Sequence, residues 1–146
     1  MKGQYIWNQN MNFTASWGEY KIANDAPKPM GKGEGVTPKD LAAQAVAGCS
    51  AMDIISLLKK FRQNVTKFWV DVDYEQTKGE HPIIFKEVRL EYHVEGEVEP
   101  EKLIKAVTLS QTKYCGVTAM ISKTSPVYYK IYLNSEMIGE DQASFN

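Results

Sequence analysis

Two cysteines, Cys49 and Cys115, are the only sulfur nucleophiles in this chain of 146 residues. Cys49 lies in TPKDLAAQAVAGCSAMDIISLL, residues 37–58, and Cys115 in LSQTKYCGVTAM, residues 109–120. A thiolate attacks electrophiles, is oxidised and exchanges disulfides, so these sulfurs are the candidates for chemistry. Gly48 and Ser50 flank the first and leave access to it. The second stands at an expected helix start, where backbone N–H groups stabilise a thiolate. The alternative for either residue is a small buried hydrophobe. The pair is too far apart in sequence for a CxxC motif or half a zinc ribbon. A Cys–His hydrolase stays open, since such partners need not adjoin in sequence. His81 and His93 fall on a turn and a strand, a weak basis for a metal site, and none is expected. GKGEG lacks the strand and the spacing of a phosphate loop, so no cofactor is expected either.

The helix that carries Cys49 is announced by Thr37-Pro38-Lys39-Asp40. Thr37 can cap, Pro38 suits the first turn and Asp40 completes a capping box. The helix is expected to run to Gln63, about 39 Å at the α-helical rise. Leu41, Ala45, Gly48, Met52 and Ile55 form one apolar stripe; Ala43, Ala47, Ile54, Leu58 and Phe61 form another. A helix apolar on several faces is a buried one. A domain this small cannot cover it from every side, which predicts a homodimer with the small-residue face near the interface.

Short strands are expected within residues 4–24, then a Pro/Gly-rich loop over 24–36 that serves as a cover or as a mobile connection. Alternation predicts strands over 66–77 and 83–95, joined by KGEHP. A second helix is expected over 97–110, a short third one from Tyr114 or Cys115, and a strand over 127–133. Residues 135–146 show no period and read as a loosely ordered tail on a single domain. Seventeen basic and eighteen acidic side chains, without a basic stripe, argue against nucleic acid as a partner. No secretory h-region opens the chain, and no uninterrupted apolar run reaches the roughly 18 residues of a membrane span. The expected location is the cytoplasm, where thiols stay reduced.

Together, TPKDLAAQAVAGCSAMDIISLLKK, EHPIIFKEVRLEYHVEG and KAVTLSQTKYCGVTAMI resemble the OsmC/Ohr superfamily. They are similar in particular to its YhfA-like branch, with its (S/T)P-x-(E/D)…GC(S/T)-x-MD and LSxxKYCSV patterns. The resemblance covers about residues 4–134. It implies an α+β fold in which two subunits intertwine, long helices buried centrally and curved antiparallel sheets outside. It implies thiol peroxidase activity on organic hydroperoxides, with Cys49 peroxidatic and Cys115 resolving, and an external dithiol, often a lipoyl group, as reductant. Peroxidases of the superfamily also use an N-terminal arginine held by a glutamate at the start of the long helix. Here no arginine precedes Arg62 and Lys39 takes the usual glutamate position; Asp40 matches the acidic position of the YhfA-like branch. That departure leaves a second expectation beside the peroxidase: a small-ligand-binding or redox-responsive dimer of the same fold.

Overall fold

The computed structural model describes residues 2–146. The chain divides into two compact units, Met1–Ala42 and Ala43–Asn146. The first contains an antiparallel meander of β1 (Gly3–Gln9), β2 (Asn12–Trp17) and β3 (Tyr20–Asn24). Its tight turns fall at Asn10 and Gly18, both with positive φ, which Asn and Gly adopt most readily.

The Pro/Gly-rich segment after β3 is anchored, contrary to a mobile connection. Asn24 bridges to Val36, and the Asp25 carboxylate accepts from the backbone N–H groups of Ala26 (2.8 Å) and Glu34 (3.1 Å). The Glu34 hydrogen bond, foremost, holds the Asp25 carboxyl below its ordinary range. Gly31 is needed here because a Cβ would lie 2.2 Å from the carbonyl oxygen of Ala26.

Helix α1 (Pro38–Lys60) begins as the capping box predicts. The Thr37 N–H donates to Asp40 Oδ2 and the Asp40 N–H donates to Thr37 Oγ1, both at 3.1 Å. It ends three residues before the expected Gln63, because Arg62 adopts a left-handed conformation with φ 59°. The Arg62 N–H then reaches Lys59 O and the Gln63 N–H reaches Leu58 O, the two bonds of a Schellman cap. By length and composition α1 is apolar enough to cross a membrane, which the criterion of an uninterrupted apolar run did not predict. Its Ala43, Val46, Ala47, Ser50, Ile54 and Leu58 face is buried within the protein.

The second unit pairs β4 (Asn64–Gln76), β5 (Phe85–Glu97), β6 (Val127–Leu133) and β7 (Glu136–Gln142) in that order. Val88, Leu90, Tyr92 and Val94 of β5 alternate inward and are buried, beside Val127, Tyr129, Ile131 and Leu133 of β6. Helix α2 (Pro100–Leu109) adds Leu103, Ala106 and Val107 to this core. Each fully buried aliphatic side chain contributes about 1.5–3 kcal/mol.

Two features depart from expectation. The connection through α2 and α3 (Gly116–Ile121) makes β6 parallel to β5, so this sheet is mixed rather than wholly antiparallel. The segment expected to be a loose tail supplies β7, an edge strand paired antiparallel to β6.

Candidate functional site

Cys49 stands near the middle of α1, half-buried, and Cys115 is buried at the start of α3. The chain reaches Cys115 through a π-helical turn, Ser110–Tyr114, closed by the Cys115 N–H donating to Ser110 O at 2.9 Å. Such widened turns recur at functional sites, because the extra residue re-aims the side chains after it. The result is that the ligand-type atoms of Cys49, Cys115 and Asp53 all lie within 4.8 Å of one another. Both sulfurs are free thiols.

Asp53 enters this group by helical spacing: it lies four residues after Cys49, hence on the same face of α1. Its Oδ2 accepts from Ser110 Oγ at 3.0 Å, linking α1 to the π-turn. Cys115 caps α3: its sulfur accepts from the Thr118 N–H at 3.4 Å and from Thr118 Oγ1 at 3.0 Å. Those donors favour the thiolate, as expected for a helix start. Burial outweighs them, however, and together with the neighbouring Cys49 leaves the Cys115 thiol pKa above its ordinary value. Burial thus favours the neutral thiol form of Cys115.

Behind the sulfurs runs a buried polar chain. Gln111 Nε2 donates to Tyr92 Oη (2.9 Å), and Tyr92 Oη donates to Ser50 Oγ (2.7 Å). Ser50 Oγ in turn donates to the carbonyls of Val46 and Ala47. This chain ties β5 and the π-turn to the residue next to Cys49, fixing where both cysteines stand. Burial pushes the Tyr92 phenol far above its usual range, so it serves as a neutral donor. Gln111 Oε1 is buried without a hydrogen-bond partner among the described residues.

Asp40, the third residue singled out from the sequence, lies in the capping box at the head of α1, nine residues before Cys49. The structure therefore brings Cys49 and Cys115 together and gives Asp40 a capping contact. Sequence reasoning missed Asp53, Ser110, Thr118 and the Gln111–Tyr92–Ser50 chain. Ser50, Asp53 and Ser110 stand within the motifs around the two cysteines, and Asp53 also carries a four-residue spacing from Cys49.

The small-residue face of α1 is open in this chain. Ala45, Gly48 and Met52 are exposed, Met52 at 75%, while the opposite stripe is packed. A cavity of about 250 Å³ lies over β5, β6 and β7, lined by residues such as Arg89, Tyr128, Lys130 and Glu140, and includes neither cysteine.

The family described as OsmC-like protein matches residues 31–130, and the chain belongs to that family. The protein YhfA of Escherichia coli K12 is 35% identical over 88 residues, 60% of this chain; the match spans 65% of that relative's length. A hypothetical protein from Aquifex aeolicus VF5 superposes with a TM-score of 0.81 at 25% identity, covering 91% of this chain and 95% of the other. An organic hydroperoxide resistance protein from Elizabethkingia anophelis shares the fold with a TM-score of 0.65 at 15% identity, over 93% and 97% of the two chains. The OsmC-like α+β fold, a long helix with two sheets, is thus the one the sequence resemblance implies.

Proposed function

We propose that this protein is a dithiol peroxidase that reduces organic hydroperoxides through Cys49 and Cys115. The observation that carries the reading is the approach of the two sulfurs to within 4.8 Å, one half-buried and the other fully enclosed. The more accessible Cys49 attacks as thiolate. Its sulfur bonds to the distal peroxide oxygen, the O–O bond breaks, and the alkoxide leaves as alcohol after taking a proton. Cys49 becomes a sulfenic acid. Cys115, its neutral thiol favoured by burial, loses its proton as its sulfur displaces the hydroxyl of that sulfenic acid. Water departs and the Cys49–Cys115 disulfide forms. An external dithiol, for which a lipoyl group is suited, returns both thiols by exchange.

Membership of the OsmC-like family and the likeness of fold to organic hydroperoxide resistance proteins support this reading. The open small-residue face of α1 supports a homodimer, a second copy covering Ala45, Gly48 and Met52. Asp40 belongs to the proposal as the acidic residue at the head of α1, and the reducing cytoplasm suits a resting dithiol. Neither nucleic acid nor a membrane is assigned as a partner.

One observation favours a second reading. An acid, Asp53, neighbours the sulfur pair, and no arginine precedes Arg62 in the chain. A redox-responsive dimer that oxidises once, without rapid turnover, fits that electrostatic setting. Steady-state assay of cumene hydroperoxide with dihydrolipoamide separates the two. The peroxidase reading expects many turnovers in the wild type and none in Cys49→Ser; full activity in that variant overturns it.

A further inference from the structure

Two thiols and a carboxylate held within 4.8 Å of one another also constitute a donor set for a metal ion. We propose that the reduced protein binds one divalent ion of thiolate preference, with Zn²⁺ as the type, through Cys49 Sγ, Cys115 Sγ and one oxygen of Asp53. The inference rests on the juxtaposition of the three groups and does not depend on peroxidase turnover.

The geometry is near what such an ion requires. Zinc–sulfur bonds of about 2.3 Å and zinc–oxygen bonds of about 2.1 Å in a tetrahedron set the donors about 3.6–3.8 Å apart. Donors already within 4.8 Å need side-chain adjustments on the order of an ångström to reach that spacing. Cys49 and Asp53 are presented by one rigid helix, a turn apart, and Cys115 by the π-turn and the cap of α3.

The outer hydrogen bonds suit ligands rather than resting neutral groups. Ser110 Oγ donates to the Asp53 carboxylate, and the Thr118 N–H and O–H donate to the Cys115 sulfur. Donors of this kind orient anionic ligands and are characteristic of metal sites. None of the three groups makes an ion pair among the described residues. Fully ionised, they would place three negative charges in a half-buried pocket, and a dication removes most of that repulsion. Binding releases the two thiol protons to solvent and leaves a net charge of about −1 on the cluster. The fourth position, open on the side of the half-buried Cys49 and Asp53, is left for water or an exogenous ligand.

Metal binding and disulfide formation then exclude each other, because the same sulfur electron pairs serve both. The bound ion holds the dithiol reduced, and oxidation of the pair expels it.

Cobalt(II) is the probe, titrated anaerobically into reduced, metal-free protein and followed by absorption. The expected result is saturation at one ion per chain, with thiolate-to-cobalt charge transfer in the near ultraviolet and the ligand-field bands of a tetrahedral ion, both erased by competing Zn²⁺. Cys49→Ser and Cys115→Ser should each lose charge-transfer intensity. Asp53→Asn should keep that absorption but bind at least about tenfold more weakly. Wild-type protein oxidised to the disulfide should not bind, a control that needs no substitution. Absence of thiolate-to-cobalt absorption in the reduced wild type overturns the proposal, as does unchanged affinity in Asp53→Asn or Cys115→Ser. Hydroperoxide turnover, measured on metal-free protein, is a separate readout: an inactive protein that binds cobalt retains this inference and ends the peroxidase reading, and the reverse result does the opposite.

Discussion

Tyr92 and His93 are neighbours on β5 and point to opposite faces of the same sheet, and the two faces are built on different principles. Inward, Tyr92 joins a sealed chain of hydroxyl and amide groups that ends beside Cys49. Outward, the His93 ring is stacked between Trp69 and Tyr132, with centroids 4.8 and 4.6 Å away, and its Nε2 lies 3.2 Å from an Asp71 oxygen and 3.5 Å from a Glu91 oxygen. Both faces gather three potential ligand residues: Cys49, Asp53 and Cys115 within, Asp71, Glu91 and His93 without. Asp71 and Glu91 are substantially solvated, at 65% and 42% side-chain exposure, so water screens and satisfies them. In the inner group Cys115 is fully enclosed, while Cys49 and Asp53 are half-buried. Burial raises the Cys115 pKa against the Thr118 donors, the kind of environment through which a protein controls thiol reactivity.

Substitutions should break this contrast in proportion. The largest effect is expected on turnover: Cys49→Ser should lower hydroperoxide consumption to the uncatalysed background, a loss on the order of 10³-fold or more, as for other removed nucleophiles. Next, Tyr92→Ala should cost about 3–5 kcal/mol in urea unfolding, since it empties a core site and strands Ser50 and Gln111. Tyr92→Phe keeps the ring and should cost about 1–3 kcal/mol.

Cys115 confers an alkaline pH effect. Burial raises its pKa in the folded protein above that of the unfolded chain. The stabilisation is therefore whole below the unfolded thiol value, about 8.5, and is lost as pH rises from there through the folded value. Urea midpoints of the reduced wild type should fall over that interval, and those of Cys115→Ala should fall less. The smallest effect belongs to the outer face. Arg89 pairs with Asp73 at 2.6 Å and with Glu87, but the Asp73 side chain is 69% exposed. Arg89→Gln should change stability by about 1 kcal/mol or less, and salt should shrink the difference.

The parts of this arrangement that were legible in sequence are those governed by local rules. TPKD wrote its capping box into adjacent residues, and Val88, Leu90, Tyr92 and Val94 declared the inward face of β5 by alternation. Local rules failed where the chain departs from their usual residues. Arg62 occupies the left-handed position that glycine normally marks, so the end of α1 carried no signal. Strand β7 is an edge strand with mostly exposed residues, and without a buried face it shows no alternation to read. The parallel pairing of β5 with β6 depends on where α2 packs, which no short window contains. The motifs surrounding the two cysteines pointed to both sulfurs, but only the π-turn, which sets the aim of Cys115, brings that sulfur to Cys49 and Asp53.

The central claim is that Cys49 and Cys115 act as one redox pair, and intact mass measurement with peptide mapping tests it most directly. Reduced, metal-free protein treated with one equivalent of cumene hydroperoxide should lose two hydrogens per chain and yield a single cross-linked peptide joining Cys49 to Cys115. In Cys115→Ser the same treatment should leave a sulfenic acid on Cys49 that dimedone traps. An unchanged mass in the wild type, or oxidation that settles on Cys115 while Cys49 remains a free thiol, would contradict the account.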